Sequence, residues 1–172
     1  TSRTISGTIT GAVIKLNGAD NVSIDGRIGG AGSGRDLAVR NNSTATATAA
    51  IWLASVAAGN GASNNIIRNV EIAAGQTANV GTNTTIGVYM GGTTISLTAT
   101  DGNDNDNNQF LFNRITRARY GLASRGVTTN NNEGLVIADN IIGPTSFGAD
   151  EIGKAGIFLQ ADTGAQVNRN TV

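Results

Sequence analysis

A four-residue apolar motif recurs five times along this chain, and its spacing constrains the fold more than any other feature. The copies are Val13-Ile14-Lys15-Leu16, Ala50-Ile51-Trp52-Leu53, Gly87-Val88-Tyr89-Met90, Arg119-Tyr120-Gly121-Leu122 and Gly156-Ile157-Phe158-Leu159. Their second residues stand at 14, 51, 88, 120 and 157, which gives spacings of 37, 37, 32 and 37. Side chains alternate along a strand, so the second and fourth residues of each copy share one face, the expected core face. Repeats of this length describe units that bury their apolar face only by stacking on their neighbours.

A second motif, centred on asparagine, alternates with the first. Its copies are Asn64 to Ile72, Asn107 to Ile115, Leu135 to Ile142 and Gln166 to Val172, and the earliest version, Asn21 to Ile28, has Gly26 where the others have asparagine. Glycine and asparagine both accept a left-handed backbone at low cost, so their exchange marks a tight bend between two strands. From the first motif to the bend the chain runs 12, 18, 25, 20 and 13 residues, a pattern of constant strands and variable loops. With 24 glycines, one proline and no sustained 3.6-residue apolar period, helices are not expected.

These repeats resemble those of the pectate-lyase-like superfamily, most closely in Asn64 to Ile72, which reads as strand, asparagine bend and strand. The resemblance implies an all-β, right-handed parallel β-helix of about five coils forming a single domain over residues 1–172. It also implies an internal ladder of Asn69, Asn113, Asn140 and Asn170. The same coil serves lyases, hydrolases, adhesins and phage spikes, so fold kinship does not select an activity. The chain has no histidine and no Arg-x-Pro-x-x-Arg segment, and among its twelve acids no spacing selects a catalytic pair. Catalytic residues are therefore not assigned, and the reading leans away from an enzyme.

Other features define candidate contacts. Asp101, Asn103, Asp104 and Asp106 lie in a segment that offers several of the hard oxygens Ca²⁺ prefers. A solvated Asx-rich turn is the competing reading. Trp52, Tyr89 and Phe158 share the third position of the strand motif, with Lys15 and Gly121, and should form an outward stripe able to stack on sugar rings or meet a partner. Arg114, Arg117, Arg119 and Arg125 either line a groove, as a lyase would need, or sit exposed on strand flanks. Asp25, Arg68, Phe112, Asp139 and Arg169 precede the bends, which would set Asp25 against Arg68 and Asp139 against Arg169.

Balanced charge, with twelve basic and twelve acidic residues, gives no support to a nucleic-acid partner. No apolar run is long enough to suggest membrane insertion. The Thr/Asn/Gly-rich, lysine-poor composition resembles secreted bacterial proteins, an extracellular or cell-surface setting. The expected function is structural or adhesive, with possible partners in a polysaccharide and in further copies that meet the open coil ends, or with coils continuing in a longer protein. A pectate-lyase-like carbohydrate-active enzyme and a carbohydrate-binding module are the alternatives.

Overall fold

The computed structural model describes residues 1–76, 84–146 and 148–172. Among these the chain is all-β, with three five-stranded parallel sheets and no α-helix, an arrangement consistent with a parallel β-helix. The first sheet contains β1 (Arg3–Gly7), β4 (Leu37–Asn41), β7 (Val70–Ala73), β10 (Arg114–Thr116) and β14 (Ile141–Ile142). The second contains β2 (Gly11–Asn17), β5 (Thr48–Ala54), β8 (Thr85–Gly91), β11 (Ala118–Arg125) and β15 (Ile152–Gln160). The third contains β3 (Ser23–Asp25), β6 (Ile66–Arg68), β9 (Gln109–Leu111), β13 (Val136–Ala138) and β17 (Gln166–Asn168). A short fourth ladder joins β12 (Asn132–Glu133) to β16 (Asp162–Thr163). The chain visits the three sheets in turn, and each strand pairs with its counterpart one pass later.

Strand pairing sets the core columns. Ile14, Ile51, Val88, Leu122 and Ile157 are successive partners, as are Ile24, Ile67, Phe110, Ile137 and Val167. The fourth member of the first column is thus Leu122 and not Tyr120, which pairs instead with Ile86 and Ala155. In sequence, Tyr-Gly-Leu imitates the apolar alternation of Val-Tyr-Met, but the pass through β11 is offset by two residues. Ala50 and Ile51 both join the interior cluster although they are adjacent, so the strand turns a corner there. In the next passes Gly87 and Gly121 follow Ala50, each immediately preceding the member of the Ile51 column in its pass, Val88 and Leu122. A β-carbon on Gly121 would lie 2.5 Å from the Ile142 side chain, so the interior accepts nothing larger at that point.

Asparagines perform two separate tasks. One is backbone bending: Asn21, Asn64 and Asn107 have φ near +55° to +60°, and Gly134 and Gly164 continue the series at +61° and +67°. The other is stacking of buried side chains. The Asn113 N–H donates to Asn140 Oδ1 (2.9 Å), and the Asn140 N–H donates to Asn170 Oδ1 (3.0 Å). Their Nδ2 groups donate to the carbonyls of Ile67, Phe110 and Ile137, each at 2.9 Å. Asn65 with Asn108, and Asn105 with Asn132, make shorter versions of this contact at other corners.

Asn69 does not stand in line with Asn113. Val70 occupies that place, and its N–H donates to Asn113 Oδ1 at 3.0 Å. Asn69 is instead a bend residue with φ +54°, in register with Phe112, Asp139 and Arg169, whose φ values are +56°, +58° and +52°. Gly26 belongs to this series by position but is not left-handed; a β-carbon there would lie 1.8 Å from the Asn69 carbonyl oxygen. Glycine is therefore required at 26 by close backbone approach and not by bend geometry.

The two tasks separate by mutation. Asn140→Ala removes an acceptor shared by two donors and leaves them buried, so urea unfolding should show a loss of about 1–3 kcal/mol. Asn69→Gly keeps a residue suited to positive φ and should change stability by less than about 1 kcal/mol. Equal losses for both variants would contradict the division of roles.

Candidate functional site

The outward face of the second sheet is where sequence placed the aromatic stripe, and strand pairing puts Lys15, Trp52, Tyr89, Ala123 and Phe158 in one row. Ala123 takes the place expected for Gly121, following the same two-residue offset. The row is not open to solvent. Trp52 is 7% exposed and Tyr89 1%, within a second apolar cluster that also holds Ala49, Ile86, Ile95, Tyr120 and, partly buried, Leu97. Ile95 and Leu97 come from the segment between Gly92 and Asp101, and the Tyr89 hydroxyl donates to the Ser96 carbonyl at 2.6 Å. Burial pushes the Tyr89 phenol up to about 12.

Cations and edge contacts complete this layer. Lys15 Nζ lies 3.9 Å from the centre of the Trp52 ring, and Tyr120 meets Phe158 edge to face at 5.9 Å between ring centres. Trp52 and Tyr89 are thus withdrawn from sugar stacking and serve as the floor of a covered layer. Phe158, half-buried at its end, retains some exposed surface.

The acidic segment is divided among separate partners. The Asp101 carboxylate accepts the hydroxyls of Thr93 and Thr94, which closes the covering segment on itself. Asp104 accepts the Gly59 N–H and the Asn130 Nδ2, and Asp106 accepts the Glu133 N–H at 2.8 Å. Asn103 is buried, with both amide atoms lacking a hydrogen-bond partner in the protein. Among the described residues no three acidic, histidine or cysteine side chains gather where they could hold a metal ion. The aspartates among the expected calcium ligands thus act as ties within and between turns.

The arginines do not converge. Arg119 and Arg125 lie near opposite ends of β11, six residues and about 20 Å apart at strand spacing, while Arg114 belongs to a different sheet. Arg119 lies buried against the Tyr120 ring, and Arg125 is buried with Nη1 donating to the Gly126 carbonyl.

Both expected charge pairs form, in different columns. Asp25 and Arg68 face each other in β3 and β6, with Arg68 Nε 3.0 Å from Asp25 Oδ2. Arg27 adds a two-pronged contact to the same carboxylate. Asp139 and Arg169 pair at 2.7 Å one residue further along their passes. The hydrogen bond from Arg27, with the charges of Arg27 and Arg68, holds the Asp25 carboxyl far below the usual range. A cavity of about 470 Å³ opens beside the last pass, lined by Ile142, Pro144, Glu151, Lys154 and Val172 among others.

Sequence reasoning missed Asp162, a half-buried carboxylate at the start of β16. Its signal lay in the series Asn105, Asn132, Asp162, in which an acid takes the next place after two stacked amides.

No protein-family model, curated protein or solved structure matches this chain.

The covered layer makes Trp52, the only tryptophan, a reporter. Its fluorescence should be blue-shifted and resist iodide quenching, and Ile95→Asp should raise quenching severalfold by lifting the segment that covers it. Equal quenching in both proteins would count against the cover. Asp25 supplies an acid-side test. Because its folded pKa is lowered, its contribution is present above the ordinary aspartate value and disappears as pH falls below it. Asp25→Asn should therefore flatten the decline in melting temperature toward acid, measured from pH 6 down to pH 2.

Proposed function

We propose that this chain is a right-handed parallel β-helix of about five coils, related to the pectate-lyase-like superfamily and laddered by asparagine. We further propose that it acts as an extracellular or cell-surface structural or adhesive protein, of bacterial type, whose coil ends join further copies. The observation that carries this reading is the constant parallel pairing through all three sheets. Such pairing builds a stiff element with the same spacing from one pass to the next, a ladder that either further coils or another copy can continue.

Side chains at the two ends agree with that use. Ile5 and Ile9 on the first pass and Val167 and Val172 on the last are exposed apolar residues that either further coils of a longer chain or another copy would cover. The long segment between β8 and β9, which in an enzyme could gather acids over a groove, folds down as cover and cross-ties. The segment between Gly92 and Asp101 seals the aromatic layer, and Asp104 links two turns.

Assembly and turnover can be measured on one preparation. Electron microscopy together with light scattering over a concentration series should show rods whose length grows with concentration, and Ile5→Lys combined with Val172→Lys should shorten them. Discrete monomers that release unsaturated uronates from pectin or alginate would replace the structural reading with the enzymatic one.

A further inference from the structure

The column Asn105, Asn132, Asp162 ends on an ionisable group where its first two members are amides. Hydrogen bonds run along it in one direction. Asn105 Nδ2 donates to Asn132 Oδ1 (3.3 Å), Asn132 Nδ2 donates to Ser124 Oγ (3.1 Å), and the Ser124 hydroxyl donates to Asp162 Oδ1. The Gln160 N–H donates to the other carboxylate oxygen at 3.1 Å. Asn132 and Ser124 are fully buried, and Asp162 sits where the chain leaves β15 to pair β16 with β12. On the elements packed around it the charged residues are Arg119 and Arg125 of β11, Glu133 of β12 and Lys154 of β15, and among the described residues no ion pair with Asp162 is formed.

A carboxylate in this place differs from asparagine in one respect that matters. When protonated it matches an amide in shape and is neutral, so it completes the column. When ionised it holds a full charge in a partly dry site, with donors from Ser124, Gln160 and Asn132 but, among the described residues, no ion-paired cation to offset the loss of water. We propose that Asp162 is a pH-sensitive clamp that fastens the pass carrying β15, β16 and β17 to the pass before it, tight when neutral and loosened when ionised. Burial raises the Asp162 carboxyl above its ordinary value, against the hydrogen bonds from Ser124, Gln160 and Asn132. The stabilisation is therefore full below the unfolded aspartate value and is lost as pH rises through the raised folded value. Asp25 and Asp139, both lowered by arginine partners, give the opposite slope, so the clamp must be read as a difference between proteins.

The amides of Gly126, Asn132 and Gly134 donate across this junction to the carbonyls of Gln160, Ala161 and Thr163 and report its opening. Melting temperature and the protection of these amides from hydrogen exchange are measured from pH 4 to pH 8 in the parent, Asp162→Asn and Ser124→Ala. Asp162→Asn should exceed the parent in melting temperature by a margin that widens with pH. Its three junction amides should be protected severalfold more than the parent's at pH 8, and by a smaller factor at pH 4. Ser124→Ala, which takes a donor from the ionised form, should steepen the pH dependence of the parent. A margin between parent and Asp162→Asn that stays constant with pH, or a Ser124→Ala profile parallel to the parent's, would overturn the clamp.

Discussion

Parallel pairing leaves each pass dependent on the next, because a strand's N–H and C=O groups find partners only on its neighbours above and below. Along the straight segments this requirement is met by backbone alone. At the corners the backbone turns away and the ladder would break, leaving buried polar groups unpaired at a cost of about 1–3 kcal/mol each. Asn113, Asn140 and Asn170 close the gap by offering an acceptor to the neighbouring pass and a donor to a carbonyl just upstream of their counterpart there. The apolar columns inside can then repeat at strand spacing, since these corner contacts keep Val70, Asn113, Asn140 and Asn170 in line from pass to pass.

Around this frame the chain builds a second apolar layer on the outside of the longest sheet. Trp52, Tyr89 and Tyr120 lie on it, and Ile95 and Leu97 cover part of it. A parallel sheet covered on both faces suits the Ile- and Val-rich strands that form it. The covering segment is fastened by one phenol and one carboxylate, Tyr89 to Ser96 and Asp101 to Thr93, so polar chemistry that resembles a ligand site in sequence is used to hold a loop in place. The same holds for Asp104 and Asp106, whose oxygens go to backbone and amide donors of neighbouring turns.

Legibility in the sequence follows the constancy of the repeat. Ile14, Ile51 and Val88 align because the first two passes are equally long, and strict alternation likewise brings Asp25 opposite Arg68. The fourth pass misleads at Tyr120 because two alternations, ending at Tyr120 or at Leu122, look alike until strand pairing chooses one. Asn69 groups with Asn113 in sequence because a bending asparagine and a stacking asparagine have the same letter, and only φ and the neighbouring N–H tell them apart. The outward direction of Trp52 and Tyr89 is readable from alternation, but their cover is not, since the segment from Gly92 to Asp101 carries no periodic pattern. Asp162 escapes notice because a single acid beyond two distant asparagines has no local signature.

The stack depends on one register, in which Ser23 on the first pass and Gln166 on the last stand in one sheet, four pairings apart, through Ile66, Gln109 and Val136. At about 4.8 Å per pairing their Cα atoms should be roughly 19 Å apart. The chain contains no cysteine, so Ser23→Cys and Gln166→Cys can each carry a spin label without background. Dipolar electron resonance should give one narrow distance distribution centred within a label's reach of that separation. A broad distribution, or one centred beyond about twice that separation, would contradict the stacked parallel register.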